Sequence, residues 1–533
     1  MDIGTISIVV LVGMLMLLAI GMPLGFASGF LAVVVMVMKF GPDLLFGNFG
    51  TGPLNILAQR MYGLCTDYVL ISVPLFILMA TLLERSSIAR DMYDSLTLWL
   101  NRTRGGIAIV TSIMAIVMAA MSGIIGGEVV LLGLIALPQM LRLGYNQNMA
   151  VGIICASGSL GTMIPPSIVL IMYGLITETS IDALFRGAFV PGFILGGLYI
   201  LYIIVRTKLN PSLAPLPEPG PDDLPVAKKR MAFVTFLLWI VAAWGGLALI
   251  HAAMIEAQNA LGLLKPDDYK PYALTQVAMY AAMLLGGLFL PRLAFGQEII
   301  GHAWRMSKGL IAPIIVVLVV LGSIYGGVTG ITEAAGMGTV AVLILIAIRG
   351  ELSFALVRDA MMRTFRSTGT IIWVTFGATA LAGAYTIAGG PTYVANLIVG
   401  AELPTLSILL VMMVIFLFLG AFMDWVGIVL LIMPVFLPIV LKLPVEEIGV
   451  FAPMVDARNF VPVWFGILFC VNMQVSFLSP PFGPAAFYLK SVAPPHITLP
   501  DIFRGFMPFM AIQLIVLTLI LFFPELTMFF KQG

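Results

Sequence analysis

Apolar segments recur along nearly the whole chain, separated by short breaks that contain polar residues, glycine or proline. A transmembrane helix needs about 20 mostly apolar residues, so the pattern predicts an all-α integral membrane protein. The candidate segments are 5–21, 22–39, 68–84, 106–126, 128–143, 146–176, 187–205, 231–253, 272–291, 309–324, 331–348, 370–388, 404–423, 425–441, 461–489 and 505–524.

Two pairs of these segments are too short to span the membrane simply. We predict that about 106–143 and about 404–441 each form a re-entrant hairpin, which enters and leaves the membrane at one face. Each hairpin precedes a longer apolar segment with internal breakers, about 146–176 and about 461–489. The pattern therefore predicts two hairpins and two broken helices.

The two units of hairpin and broken helix match each other. VVLLGLIALP at 129–138 is similar to IVLLIMPVFLP at 428–438, and each precedes a Pro-Pro pair, at 165–166 or 480–481. Inverted repeats with discontinuous helices are typical of secondary transporters, with sites near the breaks. The alternative is that glycine and proline are simply common in membrane helices.

The repeat divides the chain into three predicted parts. Residues 1–205 are the first inverted repeat, with scaffold helices, a hairpin and a broken helix. Residues 206–300 are a linker plus a two-helix insertion, because 206–230 is rich in proline and mixed charges. Residues 301–533 are the second inverted repeat.

The composition excludes several classes of function, including those of soluble and nucleic-acid-binding proteins. The chain is 61% hydrophobic and 10% charged, whereas a soluble domain carries about 25% charged residues. Net charge is +1 and there is no basic tract, so nucleic acid is not an expected partner. No P-loop motif occurs, so uphill work must use an ion gradient or another subunit. Three separated cysteines and three isolated histidines indicate no metal, redox or haem site.

The distribution of lysine and arginine predicts the orientation. With both termini in the periplasm and the hairpins opening to opposite faces, 19 of the 27 Lys and Arg residues lie on the cytoplasmic side. This agrees with the positive-inside rule. We therefore expect a multi-pass protein of the bacterial inner membrane.

The breaks carry the candidate chemistry. SGSLGTMIPPS at 157–167 combines four glycine or proline residues with four hydroxyl side chains, and it faces the tip MSGIIGGE at 121–128. VNMQVSFLSPPFGPAAFYLK at 471–490 faces the tip LGAFMDWVG at 419–427. Hydroxyl and freed carbonyl oxygens suit Na⁺, and half-helix N-termini suit a carboxylate. The sequence predicts two pseudo-symmetric ion sites.

Three ionisable residues have two readings each. Asp424 binds a cation or caps the following helix. Glu128, at the matching place in the first hairpin, binds an ion or stabilises a helix N-terminus through the dipole. Lys490 extends to the cytoplasmic surface or contacts the substrate.

The chain resembles the large membrane subunit of tripartite ATP-independent periplasmic (TRAP) transporters, the DctM type. As a set the matching stretches are specific, and they extend over nearly the whole chain except about 206–300. They are VPLFILMA (73–80), SGIIGGEVVLLGLIALPQMLRLGYN (122–146), ASGSLGTMIPPSIVLIMYG (156–174), GITEAAGMGTV (330–340) and LSPPFGPAAFYL (478–489). The chain departs from ordinary members in Gly-Gly-Glu after the first tip and in the 206–300 insertion.

The resemblance implies an inverted-repeat, elevator-type secondary transporter in a lipid bilayer. A soluble periplasmic binding protein delivers an organic acid, a small four-helix membrane subunit is a separate chain, and Na⁺ entry drives uptake. The implied Na⁺ ligands are Ser122, Gly123, Ser157, Gly158, Pro165, Asp424, Ser479 and Pro480. We expect the substrate to bind at Ser159, Gly161, Thr162, Pro166, Pro481, Gly483 and Pro484.

Two other functions remain open at this stage. A standalone Na⁺-coupled carrier of the divalent-anion type uses similar hairpins but needs no binding protein. A membrane-embedded enzyme or respiratory subunit requires a coherent ligand set or a catalytic carboxylate pair, and the sequence contains neither.

Overall fold

The computed structural model describes residues 2–42, 44, 52–123, 126–217, 224–262, 272–400, 403–421, 423–444, 457–481 and 483–528. Throughout these ranges the regular structure is helical, as the apolar pattern predicts. Among the described residues, eight helices are long and apolar enough to cross a membrane. The expected all-α membrane fold is confirmed.

The first half contains ten α-helices within the described residues. They are α1 (Ile3–Ala19), α2 (Leu24–Phe40), α3 (Pro53–Cys65), α4 (Ser72–Arg85), α5 (Ile88–Leu100), α6 (Gly106–Ser122), α7 (Gly127–Arg142), α8 (Gln147–Gly158), α9 (Ile168–Thr177) and α10 (Ile181–Leu209). Helices α6 and α7 occupy the first predicted hairpin. Helices α8 and α9, with a 3₁₀ turn at Leu160–Thr162 between them, form the first broken helix.

The rest of the described chain continues with ten more α-helices. They are α11 (Val226–Ala260), α12 (Leu274–Tyr325), α13 (Ile331–Ile348), α14 (Phe354–Ala388), α15 (Gly390–Val399), α16 (Thr405–Gly420), α17 (Trp425–Val440), α18 (Ala457–Leu478), α19 (Pro484–Lys490) and α20 (Leu499–Phe522). Helices α16 and α17 occupy the second predicted hairpin. Helices α18 and α19 form the second broken helix.

Helical structure extends into the polar residues between two of the apolar segments. The pattern separates apolar segments at 272–291 and 309–324, but α12 is interrupted within this stretch only at Gly296, where φ is 77° and ψ is 171°. The residues between the two apolar segments include arginine, glutamine, glutamate and lysine, which are good helix formers. Two helical segments therefore extend into the polar stretch and meet at a kink at Gly296.

The chain forms two compact units. The smaller comprises residues 91–103 and 216–311. Inside it the Gly309 N–H donates to Ser95 Oγ at 3.1 Å, and Lys228 Nζ lies 2.6 Å from Glu298 Oε1. A small apolar cluster holds it together, formed by Ala232, Ile299, Ala303 and Met306.

The larger unit contains both hairpins and both broken helices. In it α4 packs against α13 and α14, and Thr339 Oγ1 donates to the Leu75 carbonyl at 3.0 Å. The loop before α14 is fixed by Glu351, which accepts a hydrogen bond from the Ser87 N–H at 2.8 Å. Although partial burial acts to raise it, the hydrogen bonds from Ser87 and Arg349 hold the pKa of Glu351 below its ordinary value.

Two glycines bring α8 and α20 into backbone contact. A Cβ atom at Gly152 would lie 2.1 Å from the Gly505 carbonyl oxygen, and one at Gly505 would lie 2.4 Å from the Asn148 carbonyl oxygen. No side chain therefore fits between these two helices at this point. The contact joins the first broken helix to the last described α-helix of the chain.

Candidate functional site

The first hairpin tip lies directly against the first broken helix. Gly123 is the C-cap of α6, with φ 60° in the left-handed region, and a Cβ there would lie 2.1 Å from the Pro166 carbonyl oxygen. Its own carbonyl accepts from the Ile168 N–H at 3.3 Å. Two of the expected residues, Gly123 and Pro166, are therefore brought together.

The hydroxyl side chains of the first break are hydrogen-bonded within or beside it. Ser157 Oγ and Ser112 Oγ are 3.0 Å apart. Ser159 Oγ donates to the Ala156 carbonyl at 2.7 Å and Thr162 Oγ1 to the Ser159 carbonyl at 3.0 Å. A hydroxyl that donates to a carbonyl keeps its oxygen lone pairs. These side chains therefore stabilise the break and still fit a hard cation as ligands.

The rest of the break positions α9. Ser167 is the N-cap of α9, with Oγ accepting from the Leu170 N–H at 3.4 Å and donating to the Thr162 carbonyl at 2.6 Å. Gly158 ends α8 and Gly161 lies in the 3₁₀ turn. The peptide bond between Pro165 and Pro166 is cis.

A hydrogen bond links the two ends of the connection between α6 and α7. It joins Ser122, which precedes the glycines of the tip, to Glu128, which follows them. Ser122 Oγ donates to Glu128 Oε1, and Glu128 is only 1% exposed. Glu128 lies in the first turn of α7, where a carboxylate interacts favourably with the helix dipole. Its two expected roles, as an ion ligand or as a residue that stabilises the start of α7 through the dipole, both stay predictions.

The second tip is arranged similarly around Asp424. A Cβ at Gly420, the last residue of α16, would lie 2.1 Å from Ser476 Oγ. Asp424 precedes α17 at the N-cap position, with extended backbone dihedrals. It lines a small cavity of about 20 Å³ with Ser476 and Pro484. An acidic side chain and a hydroxyl thus converge between the second hairpin and the second broken helix.

The remaining expected residues of the second break lie in the turn between α18 and α19. Ser479 Oγ donates to the Val475 carbonyl at 2.9 Å, and it does not line the Asp424 cavity. The bond between Pro480 and Pro481 is cis. Gly483 is the N-cap of α19.

The two breaks come together in the larger unit. Cys155 Sγ, in α8, lies 3.7 Å from the carbonyl oxygen of Ala485, in α19. The helix segments of the first and second breaks are therefore in contact, and both line one region of the fold.

A larger cavity of about 990 Å³ opens beside the first tip. Its walls come from α4, α7 and α14, from the tip residue Gly126, and from Tyr488 of α19. The charged groups that line it are Glu84, Arg85, Arg358, Asp359, Arg363 and Arg366. Asp359 is paired with Arg85 at 2.8 Å and with Arg363 at 3.2 Å, so the cavity wall is net basic.

Comparison with known proteins identifies the chain. The family model of the tripartite ATP-independent periplasmic transporter, DctM component, matches residues 11–526. The chain belongs to this family. It is a multi-pass transporter permease and not an enzyme.

Relatives named for different substrates cover most of the chain. The C4-dicarboxylate TRAP transporter large permease DctM of Pseudomonas aeruginosa is 23% identical over 93% of this chain and 92% of its own length. The sialic acid TRAP transporter large permease SiaM of Vibrio cholerae is 23% identical over 98% and 97%. The isethionate TRAP transporter permease DctMQ of Oleidesulfovibrio alaskensis is 25% identical over 96% of this chain, which spans 64% of that protein.

Two features of this DctM-type chain were missed or left open in the sequence. Glu84, at the end of α4, was not singled out, because an acid at the end of an apolar segment is an ordinary boundary residue. In the structure it borders the first tip, where a Cβ at Gly127 would lie 2.0 Å from its Oε1. Lys490 Nζ donates to the Ile497 carbonyl at 2.6 Å, so it anchors the loop after α19.

Proposed function

We propose that this chain is the large membrane subunit of a Na⁺-coupled TRAP transporter, which imports an organic acid delivered by a soluble periplasmic binding protein. The observation that carries the proposal is the pair of breaks, each packed against a hairpin tip. Oxygen ligands at broken helices are the usual chemistry of Na⁺ coupling in secondary transporters.

The two Na⁺ sites lie one at each tip in this proposal. Hydroxyl and carbonyl oxygens of Ser122, Gly123 and the 157–165 segment bind the first ion. Asp424 with the 479–480 turn binds the second. The short contacts at Gly123 and Gly420 support this assignment, because they hold each tip against its break.

The substrate binds in this proposal where the two breaks meet, near 159–166 and 481–484. The net basic cavity beside the first tip supports an anionic substrate, since guanidinium groups pair with carboxylates. The names of the relatives support the same class, because C4-dicarboxylates, sialic acid and isethionate all carry an anionic group.

The transport step is an elevator movement of the hairpins and breaks against the other helices. The inverted repeats 1–205 and 301–533, with 206–300 as an insertion, supply these two parts. A separate small four-helix subunit braces the scaffold, and both termini face the periplasm of a bacterial inner membrane. The family relation supports the assembly.

The test is uptake in proteoliposomes that contain the chain and its small subunit. Radiolabelled organic acids are supplied with and without the cognate binding protein and an inward Na⁺ gradient. We expect uptake only when both are present. Uptake with Na⁺ alone would indicate the standalone carrier, and uptake without Na⁺ would contradict the ion assignments.

A further inference from the structure

Glu128 is a buried acid whose second oxygen has no partner. The side chain is 1% exposed, and Oε1 accepts from Ser122 Oγ. Among the described residues Oε2 has no hydrogen-bond partner. A buried carboxylate with a free oxygen is costly unless another group neutralises it.

The described residues around Glu128 supply no hydrogen-bond partner for this oxygen. No ion pair in the described part of the chain includes Glu128. The Glu84 carboxylate adds a like charge beside this tip, since a Cβ at the neighbouring Gly127 would lie 2.0 Å from its Oε1. A cation at this place would satisfy the free oxygen and reduce the repulsion between the two acids.

The end of α6 beside Glu128 also favours a cation, whereas Glu128 itself lies in the first turn of α7. Ser122 is the last residue of α6, and the C-terminal end of a helix carries unpaired carbonyls and a partial negative charge. Half-helix C-termini of this kind coordinate Na⁺ in secondary transporters. Carbonyl, hydroxyl and carboxylate oxygens therefore meet within the same tip.

We propose that Glu128 is a Na⁺ ligand, which joins Ser122 and makes the first ion site of this chain anionic. The proposal rests on the Na⁺-coupled function above and deepens it. Both tips then bind Na⁺ with an acid, Glu128 in one and Asp424 in the other. Glu84 lines the 990 Å³ cavity beside the site, so an ion passing from that cavity meets a second carboxylate first.

The experiment measures Na⁺ binding without transport. The full chain, purified with its small subunit, is titrated with Na⁺ in a choline background without organic acid or binding protein. A ligand that binds the native state raises the unfolding midpoint by mass action. We expect Glu128→Gln to raise the Na⁺ concentration for half-maximal stabilisation by about tenfold or more. Glu525→Gln, which removes an exposed acid far along the chain, should leave it unchanged.

Two further measurements keep the proposal testable if Glu128→Gln does not fold. Glu128→Asp retains the charge but retracts the carboxylate, and we expect a smaller increase in the same Na⁺ concentration. In the otherwise native Asp424→Asn protein, infrared difference spectra between Na⁺ and choline should retain a carboxylate signal.

Several outcomes would overturn the proposal. These are unchanged Na⁺ affinity in Glu128→Gln, an equal change in Glu525→Gln, or absence of the carboxylate signal. Because none of these readouts uses transport, they decide the role of Glu128 even if uptake proves independent of Na⁺ or of the binding protein.

Discussion

Asp424 differs from Glu128 in its surroundings, although both lie at hairpin tips. It borders a small cavity that it shares with Ser476, whereas Glu128 is 1% exposed and accepts a hydrogen bond from Ser122. A substitution at Asp424 therefore tests the second ion site separately from the first.

We expect Asp424→Asn to raise the Na⁺ concentration for half-maximal uptake by about tenfold, equivalent to about 1.4 kcal/mol. Asparagine keeps the shape and one oxygen but removes the charge. Expression and membrane insertion should be unchanged. Asp182→Asn, which neutralises an acid paired with Arg186, serves as the control. Unchanged Na⁺ dependence in Asp424→Asn would remove this residue from the site.

At the residue scale the sequence predicts which side chains matter better than what they contact. The hydroxyls of SGSLGTMIPPS stood out because they interrupt an apolar segment. Their partners did not, because the bond between Ser157 and Ser112 joins residues 45 positions apart. Glu84 was missed for the same reason, since only the close approach of Gly127 gives it significance.

At the scale of elements, the contact between α6 and the end of α8 makes it possible to distinguish a structural role of a hydroxyl from an ion-binding role. Ser112 and Ser157 share one hydrogen bond, but only Ser157 lies in the break. Removing either hydroxyl leaves the other buried without its partner, at a cost of about 1–3 kcal/mol. The stability effects of the two substitutions should therefore be similar.

We expect Ser157→Ala to lower Na⁺-driven uptake and apparent Na⁺ affinity, whereas Ser112→Ala lowers the unfolding midpoint alone. Thr235→Ala, in α11, removes a buried hydroxyl that donates to the Met231 carbonyl at 3.0 Å and should spare uptake. Uptake and thermal unfolding of the three variants check this. Equal losses of uptake in all three would mean that the first break is only a packing feature.

Most elements could be predicted because the length and hydropathy of an apolar segment indicate a membrane helix. The helix ends could not be predicted where a helix extends into polar residues. In α12 the helical segments on both sides of Gly296 include polar residues of 292–308. Helix α14 begins at Phe354, although its apolar part begins near residue 370. Apolar periodicity finds the portion in the hydrocarbon, whereas helix propensity and capping decide where the helix ends.

For the whole molecule, the orientation can be tested with single cysteines. Cys65 is exposed and is replaced by serine, whereas Cys155 and Cys470 are buried. In intact cells permeabilised only at the outer membrane, an impermeant maleimide should label Asp2→Cys. It should label Arg206→Cys only after lysis, because positive residues are retained in the cytoplasm. The opposite labelling would invert the proposed topology.

The backbone contact between Gly152 and Gly505 constrains how this protein can evolve. Neither position can accept even a methyl group while the other helix stays in place, and a change at one is not relieved by a change at the other. Lipid-facing positions on the same helices can exchange one apolar residue for another at little cost. Substitutions are therefore tolerated on the outer faces of α8 and α20 but not at this contact, so the positions of these two helices depend on two residues that have no side chain.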